Sequence, residues 1–277
     1  MKKFLLKTIL FLSIFLVLAT IGALYRLNND RYQRLVTGSE IYHSIRKSKQ
    51  INESSSTVIL GDSVAKQLFD NGTTNGSITS LACNQSIGMV GHFLLLNNYI
   101  SAGNHIDTAY LIFSPSSIKN NLDQVYTYHY FLKPFYTDEY YPLFTKTVIN
   151  QIRKIPYYYL CRVPHILVTN WAPNFTPRDK NDYTLLSPIS LEYLGKIKAL
   201  AIRHNFKVIV LPPPMKFSSR RSIDDMNKDE IALHNLGDEF KDYFKNIVYL
   251  NDDYFEDEVH LKNPRQYTEY YKRHFIR

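Results

Sequence analysis

Cysteine is almost absent from this chain, with Cys83 and Cys161 the only two among 277 residues. Their positions give neither a Cys-x-x-Cys motif nor a zinc-ligand spacing, so the sequence offers no redox dithiol, metal site or disulfide scaffold. A glycine-rich phosphate loop is also missing, which argues against a nucleotide-binding module. Because no cofactor motif of any kind is present, we expect a protein that works without a cofactor or a metal.

Long runs of like charge are lacking as well, although the chain carries a net charge of +8. The basic residues are scattered and cluster locally only at residues 2–7, 46–49 and 216–221. A nucleic-acid-binding domain gathers its positive charge on one face, so we expect no nucleic-acid partner. Hydrophobic residues make up 45% of the chain, which suffices for one large globular domain.

One long apolar run is present, at residues 8–25, and it follows Lys2, Lys3 and Lys7. It is long enough to cross a bilayer as a helix, and its basic flank predicts a cytoplasmic N-terminus. A cleavable signal peptide is the alternative, because small residues stand at 19–23, but its apolar stretch is normally shorter. A buried core helix is the third interpretation. We favour an uncleaved signal anchor over residues 1–26, with the remaining chain extracytoplasmic, either periplasmic or extracellular.

The remaining chain divides into a polar, basic stretch and a patterned domain. Residues 27–56 are predicted to form a juxtamembrane stalk, and residues 57–277 the folded domain. Short apolar runs predict buried strands at residues 57–60, 78–82, 108–113, 207–211 and 247–250. Helical periodicity separates them at residues 64–69, 89–100, 190–204 and 228–244. This alternation predicts an α/β domain with a five-stranded parallel sheet in a three-layer, flavodoxin-like arrangement.

The connection at residues 114–187 is too long for a simple crossover and predicts an insertion after the third strand. It is rich in aromatic residues, with seven tyrosines and phenylalanines between Tyr126 and Tyr140. Tyrosine rings can pack against a ligand and their hydroxyls can hydrogen-bond to it, and we therefore select Tyr128 and Tyr130 as candidate substrate-binding residues. The alternative is that these rings form the core of the insertion itself.

A serine stands where a parallel sheet places functional side chains. The first predicted strand runs into Gly61, Asp62 and Ser63, and a helix follows at once. The hydroxyl of Ser63 is thus expected at the carboxyl edge of the sheet, beside a helix N-terminus whose N–H groups could stabilise an oxyanion. The alternative is a serine that only caps the helix.

An aspartate and a histidine three residues apart, Asp257 and His260, follow the last predicted strand. This spacing puts both side chains on the same side of a turn, so that the carboxylate can hold one imidazole nitrogen while the other faces Ser63. Each segment could also be structural, with Asp257 capping a turn. Their placement at one sheet edge favours a Ser-His-Asp triad.

These motifs resemble the blocks of the SGNH hydrolases, also called GDSL-like esterases and acyltransferases. The Gly-Asp-Ser turn ending at Ser63 looks like the first block, and Asp257 with His260 like the last, Asp-x-x-His. The family's second block supplies a glycine N–H to the oxyanion hole, which the resemblance carries over to Gly88. The resemblance covers residues 57–277 apart from the insertion.

The resemblance leaves alternatives open in the oxyanion hole. Ser86 and Gly91 lie close enough to replace the second-block glycine. The third block normally has an asparagine after the third strand, but this chain has Ser-Pro-Ser, which puts Ser116 in that place. Asn120 and Asn121 follow closely enough to substitute for that asparagine, and we also select Asn120 as a candidate substrate-binding residue.

The resemblance implies an acyl-enzyme on Ser63, with His260 as the base and Asp257 orienting it. Water as acceptor would give an esterase, and a sugar hydroxyl an O-acyltransferase, most simply an O-acetyltransferase. Similar anchored members act on cell-surface or exported polysaccharides with a polytopic membrane partner that passes acyl groups across the bilayer. The alternative is a non-catalytic glycan-binding or scaffold protein of a polysaccharide-modification complex, favoured by the missing third-block asparagine.

Overall fold

A computed structural model describes residues 1–52, 55–70, 74–75, 78–174 and 185–276. The central sheet has four parallel strands in the order β3-β1-β4-β5, with the short strand β2 antiparallel to β3 at its edge. The strands are β1 Thr57–Gly61, β2 Thr74–Asn75, β3 Ile78–Ser80, β4 Thr108–Ile112 and β5 Lys207–Leu211. β1 pairs with β4 and β4 with β5 over five residues each, so the carboxyl ends of these strands lie at one edge.

The prediction of an α/β domain with a parallel sheet is confirmed, but the sheet has four parallel strands where five were predicted. The last predicted strand lies outside it, because β7 (Tyr249–Leu250) pairs with β6 (Met215–Lys216) in a separate two-stranded sheet. Three prolines at residues 212–214 separate β5 from β6. Proline has no N–H to donate, so the ladder ends there and the chain begins a new pairing at Met215.

The central strands β1 and β4 are almost entirely buried on both faces, which explains their continuous apolar runs. Val58 and Leu60 of β1 belong to one apolar cluster, whereas Ile59 between them belongs to another. The first cluster includes residues of α5 (Gly88–Ser101) and α10 (Pro188–His204), which also contact each other, and the second includes residues of α4 (Ser63–Leu68) and α13 (Arg265–His274). The helices of the chain are α1 Lys2–Leu27, α2 Asp30–Gln33, α3 Ser39–Ser48, α4 Ser63–Leu68, α5 Gly88–Ser101, α6 Pro115–Ile118, α7 Lys133–Phe135, α8 Lys146–Lys154, α9 Pro164–Leu167, α10 Pro188–His204, α11 Arg220–Asp224, α12 Asp229–Leu233 and α13 Arg265–His274.

The helix predicted at residues 228–244 is much shorter in the structure. α12 ends at Leu233, and turns occupy most of the following residues. Asn235 adopts φ +55°, a left-handed conformation that stops a right-handed helix, and asparagine tolerates it better than most residues. The apolar periodicity therefore marked buried positions of a turn-rich segment, among them Phe240 and Tyr243, and not a continuous helix.

The N-terminal helix α1 is long and apolar enough to span a membrane. Its side chains are almost all exposed, and Ala23 is the residue of α1 that is buried. α1 contacts the short helix α9. An exposed apolar surface of this length is costly in water, which is consistent with a membrane-anchoring helix.

The segment predicted as a stalk contributes to the folded domain. α3 packs against α5, with Ile41 fully buried and Ile45 nearly so. Glu40 of α3 also forms an ion pair with Lys66 of α4. The domain therefore begins before residue 57, and the basic composition of this region concealed the buried face of α3.

The insertion is described up to residue 174, and residues 175–184 lie outside the described part. It consists of short helical turns around buried rings. Phe131 packs against Phe135 with ring centroids 5.6 Å apart, and Phe135 against Tyr140 at 5.4 Å. Cys161 is buried here and Cys83 after β3, both as free thiols.

Candidate active site

Ser63 begins α4 directly after the turn that ends β1. Asp62 is the N-cap of this helix, and its Oδ1 accepts hydrogen bonds from the N–H groups of Val64 at 3.0 Å and Ala65 at 3.2 Å. Two of the free donors of the first helical turn are thereby satisfied, which leaves the Ser63 N–H as a donor at the carboxyl edge of the sheet. The Ser63 side chain is half-buried.

Gly61 has a steric role in this turn. A Cβ at this position would lie 2.2 Å from the carbonyl oxygen of Ile112 and 2.3 Å from the Cβ of Ala65. Both neighbours are fixed, one by β4 and the other by α4. The glycine therefore allows α4 to start close against β4, which places Ser63 at the carboxyl edge of the sheet.

Asp257, His260 and Ser63 form one chain of hydrogen bonds. Asp257 Oδ2 lies 2.7 Å from His260 Nδ1, and His260 Nε2 lies 2.8 Å from Ser63 Oγ. An ionised carboxylate only accepts, so Nδ1 carries the proton that it donates to Asp257. In the neutral ring Nε2 is then unprotonated and accepts from the Ser63 hydroxyl, which is the tautomer that a general base needs.

The carboxyl group of Asp257 is held in its ionised form. Partial burial acts to raise its pKa, but the hydrogen bonds from the His260 ring and from the N–H groups of Val259 and His260 outweigh it and lower the pKa to about 2. The two backbone bonds measure 2.9 and 2.8 Å. Although 57% of its side-chain surface is exposed, the group keeps its negative charge at neutral pH and can stabilise an imidazolium on His260.

The loop that carries Asp257 and His260, between Phe255 and Leu261, is a small hairpin. Phe255 and Leu261 form an antiparallel bridge, and the Glu256 N–H donates to the carbonyl of His260 at 2.8 Å. Leu261 is only 1% exposed and packs into the cluster beneath α4. Asp257 and His260 thus project from a short loop whose base is anchored in the core.

Asp62 joins the turn after β1 to the turn after β4. Its Oδ2 accepts from the Ser114 N–H at 3.1 Å and from the Ser117 hydroxyl at 2.5 Å. Asp62 is 1% exposed and accepts four hydrogen bonds in all. The sequence placed this residue in the motif, but its partners after β4 carry no recognisable pattern.

A chain of hydroxyl groups leads from Asp62 to the surface. Because Ser117 donates to Asp62, Ser114 Oγ donates to Ser117 Oγ across 3.0 Å, and Ser116 Oγ donates to Ser114 Oγ across 2.9 Å. Ser116 itself is exposed. The predicted oxyanion donor is therefore at the surface, with its proton directed at Ser114, and it needs a rotation of the hydroxyl to serve a substrate.

The predicted second-block donor is engaged elsewhere. Gly88 has φ +58° and ψ 179°, a conformation almost restricted to glycine, but its N–H donates to the carbonyl of Gln85. The alternative donor Ser86 N–H bonds to Asn84 Oδ1 at 2.9 Å, and Gly91 lies inside α5. Neither the Gly88 nor the Ser86 N–H is free in this structure, because the turn at residues 85–87 is closed by its own hydrogen bonds.

Asn120 stabilises this same turn. Its Nδ2 donates to the Gln85 carbonyl, its Oδ1 accepts from the Leu122 N–H at 2.8 Å, and the residue is 2% exposed. A side chain with both polar atoms engaged and almost no exposed surface has nothing to offer a substrate. The selection of Asn120 as a substrate contact is therefore corrected to a role in holding the turn.

Tyr128 differs from expectation, whereas the selection of Tyr130 stays a prediction. Tyr128 is fully buried, with its ring edge-on to Trp171 at 5.8 Å and its hydroxyl 3.4 Å from the Tyr157 carbonyl. A buried ring cannot stack on a sugar, so the alternative of a core role is correct for Tyr128. Tyr130 is partly buried and packs against the same core, with its ring edge-on to the exposed Tyr126 at 6.1 Å.

The arrangement of Ser63, His260 and Asp257 can move a proton from a hydroxyl to an imidazole beside a fixed negative charge. This is the chemistry needed to make a serine nucleophilic. No protein-family model, no curated protein and no solved structure matches this chain. An assignment of function therefore depends on the geometry of these three residues.

Proposed function

We propose that this protein is a membrane-anchored, SGNH-type serine esterase or O-acyltransferase that works through an acyl-enzyme on Ser63. The observation that carries the proposal is the continuous hydrogen-bond chain, 2.7 Å from Asp257 to His260 and 2.8 Å from His260 to Ser63. The two ends of this chain come from segments almost 200 residues apart. A purely structural role would not require a histidine tautomer with its free nitrogen at the serine hydroxyl.

The reaction follows from the direction of the hydrogen bonds. Ser63 Oγ attacks the ester carbonyl while His260 Nε2 takes the hydroxyl proton, and Asp257 stabilises the resulting imidazolium. Collapse of the tetrahedral intermediate breaks the ester C–O bond, His260 returns the proton to the leaving alcohol, and the acyl group remains on Ser63. Water or a sugar hydroxyl then attacks the acyl group with His260 again as the base.

The charge on the tetrahedral intermediate needs donors at the same edge. The Ser63 N–H at the start of α4 is one, and the positive end of a helix favours an anion there. Ser116 supplies a second donor when its hydroxyl rotates away from Ser114, a motion that an exposed hydroxyl makes at low cost. This assignment replaces the asparagine of the family pattern by a serine.

The fold supports the family assignment. Counted in chain order, the four parallel strands lie in the sequence 2-1-3-4, which is the beginning of the flavodoxin-like order. Ser63 and Ser114 follow strands β1 and β4 at their carboxyl ends, where doubly wound sheets bind ligands. The position of Ser63 after β1 and the hydrogen bond that brings His260 to it support the resemblance to SGNH hydrolases.

The substrate class is proposed from the anchor and the family. α1 would hold the domain at the outer side of a membrane, in the periplasm or outside the cell, where ester-bearing polysaccharides are found. We propose O-acetyl groups of a cell-surface or exported polysaccharide as the substrate. A polytopic membrane acyltransferase that delivers acyl groups is the proposed partner.

One observation favours a second candidate function. The N–H groups of Gly88 and Ser86 are both committed to internal acceptors, so the second block does not provide a free oxyanion donor. A protein that binds glycans or organises a modification complex without turnover would keep the fold and tolerate this loss. The test below separates the two.

The test uses the full chain in detergent micelles with 4-nitrophenyl acetate. We expect nitrophenol release and an acetylated peptide containing Ser63 in the wild type, and neither in Ser63→Ala. Ser222→Ala is the matched control, because this exposed hydroxyl bonds only locally, to the Ser219 carbonyl, and should leave both signals unchanged. Faster deacylation on addition of an acceptor glycan would favour transferase over esterase. Equal rates in wild type and Ser63→Ala would contradict the mechanism and favour the binding protein.

A further inference from the structure

Gln67 connects α4 to the loop that carries the triad histidine. Its Oε1 accepts a hydrogen bond from the Leu261 N–H at 3.0 Å, and its Nε2 donates to the Leu261 carbonyl at 3.4 Å. Leu261 directly follows His260, and it is separated from Gln67 by 194 residues of chain. One amide side chain thus engages both backbone groups of the residue next to the proposed base.

We propose that Gln67 is a positioning residue that holds His260 at hydrogen-bonding distance from Ser63. The proposal rests on the proposed function, because it assigns a role within the same site. Ser63 and Gln67 lie four residues apart on α4, so they are neighbours on one helix face. α4 therefore carries the proposed nucleophile, Ser63, and one turn later binds the loop that carries His260 through Gln67.

The ion pair between the exposed Glu258 and Lys216 ties the loop to β6 and not to α4, and the other hydrogen bonds of the loop do not set the distance between Ser63 and His260 either. The bonds from Val259 and His260 to Asp257, and from Glu256 to His260, are internal to the hairpin and would move with it as one body. The Leu261 side chain anchors the loop in the core, but apolar packing is not directional. The paired hydrogen bonds of Gln67 add the direction, because an amide that meets both a backbone N–H and a C=O fixes the register of the loop along α4.

Loss of this contact should affect the chemical step more than binding. Gln67 does not need to touch the substrate, so a change here leaves ground-state contacts in place. A small displacement of His260 lengthens the Ser63–His260 hydrogen bond, and misplacement by 1 Å can cost about 100-fold in rate. The expected signature is a fall in kcat with little change in KM.

The experiment compares wild type, Gln67→Met and Gln67→Glu in the full chain. Met keeps the length of the side chain without its polar atoms, and Glu keeps the acceptor for the Leu261 N–H but loses the donor. We expect kcat for 4-nitrophenyl acetate to fall about 10- to 100-fold in Gln67→Met, with KM within about twofold, and to recover partly in Gln67→Glu. The rate of Ser63 labelling by a fluorophosphonate should fall in parallel.

Thr268→Val is the matched control. The Thr268 hydroxyl donates to the Leu68 carbonyl at 2.7 Å, so it also ties α4 to the C-terminal segment, but its hydrogen bonds go to Leu68 and Pro264 and not to the residues around His260. We expect this variant to lose thermal stability and to keep the wild-type kcat. An equal fall in kcat in Thr268→Val and Gln67→Met would mean that loosened packing, and not positioning, causes the effect.

A second readout does not depend on activity. Because the Leu261 N–H donates to Gln67, its hydrogen exchange should become about 5- to 10-fold faster in Gln67→Met and remain unchanged in Thr268→Val. Wild-type kcat in a folded Gln67→Met variant, or unchanged exchange at Leu261, would overturn the positioning role. If the wild type neither turns over ester nor reacts with the fluorophosphonate, the proposed function fails, and the exchange rates still decide whether Gln67 holds the loop.

Discussion

The backbone N–H of Ser114 donates a hydrogen bond to Asp62 Oδ2 at 3.1 Å, joining loops that follow two adjacent strands. With the bonds from Val64, Ala65 and Ser117, the Asp62 carboxylate accepts one hydrogen bond at each of its four lone-pair positions. The aspartate beside the proposed nucleophile is therefore fully occupied within the protein. Its role is to fix α4 against the loop after β4, and it is not available as a base.

We predict that Asp62→Asn lowers the free energy of unfolding by ~2–4 kcal/mol. The amide oxygen can still cap α4, but the –NH2 group then faces the Ser114 N–H, and two donors meet in a buried place. Urea denaturation of the variant, followed by circular dichroism, measures the change. A loss below ~0.5 kcal/mol would contradict the view that these four bonds hold the turn.

Asp257→Asn should abolish turnover while costing little stability at pH 7. The asparagine can retain a hydrogen bond to His260 but loses the negative charge and favours the wrong tautomer, so kcat should fall about 1,000- to 10,000-fold. The side chain is 57% exposed, and we therefore expect little change in the unfolding midpoint. The comparison of Asp62→Asn with Asp257→Asn therefore distinguishes a carboxylate that supports the fold from one that is proposed to support catalysis.

The lowered pKa of Asp257 also predicts a pH dependence. The group binds its proton at about 2 in the folded chain and nearer 3.8 when unfolded, so the unfolded state binds more protons between these values. The stability that the ionised carboxylate adds is thus present above pH 3.8 and is lost as the pH falls towards 2. In plots of the unfolding free energy against pH, wild type should lie above Asp257→Asn by a constant amount above pH 4, which is small because solvent screens this exposed carboxylate, and the two should converge below pH 4. A gap that does not close below pH 4 would contradict this assignment.

Three strands of the main sheet could be predicted because local sequence patterns mark them. The buried runs at residues 57–60, 108–113 and 207–211 match β1, β4 and β5 to within one or two residues. Such strands are apolar on both faces, so their sequences are distinctive. The order of short motifs predicts Ser63 and His260 as site residues, although only Ser63 follows a strand of the main sheet, whereas His260 comes after β7 of the separate two-stranded sheet.

The remainder depended on contacts that no local pattern records. The alternation of strands and helices predicts the strand at residues 247–250 in the main sheet. In the structure the strand is only Tyr249–Leu250, which is too short for its sequence to indicate that it pairs with β6. Gln67 looks like an ordinary helix residue until Leu261 is brought to it. Tyr128 was selected because an aromatic ring serves a core and a sugar site equally well, and its burial decides between them.

Two glycines should respond to alanine in opposite ways. A Cβ at Gly61 would meet the Ile112 carbonyl oxygen at 2.2 Å, whereas at Gly195, exposed in α10, it would meet nothing within 4 Å. We predict that Gly61→Ala destabilises the protein by ~3 kcal/mol or more and abolishes turnover. Gly195→Ala should stabilise it by ~0.5–1 kcal/mol, because alanine favours the helix. Thermal melts of the two variants test this, and a stable, active Gly61→Ala would contradict the steric argument.

His92 of α5 is a buried base outside the triad. It is fully buried, with its ring edge-on to Phe113 at 4.8 Å, and neither ring nitrogen has a hydrogen-bond partner among the residues that the structure describes. Burial lowers its pKa to about 3. The ring is therefore neutral in the folded protein at neutral pH, and it packs against Phe113, next to Ser114.

This burial predicts acid sensitivity that a single substitution should remove. Between pH 6.5 and about 3 the His92 ring is protonated in the unfolded chain and neutral in the folded one, so stability falls as the pH drops through this range. One proton of difference corresponds to ~1.4 kcal/mol per pH unit. His92→Leu has a similar volume and no polar atoms, so it should flatten this part of the profile and add ~1–3 kcal/mol at pH 7 by removing two unsatisfied nitrogens. Urea midpoints of both proteins between pH 4 and 7 measure the two slopes, and equal slopes would show that other groups cause the acid sensitivity.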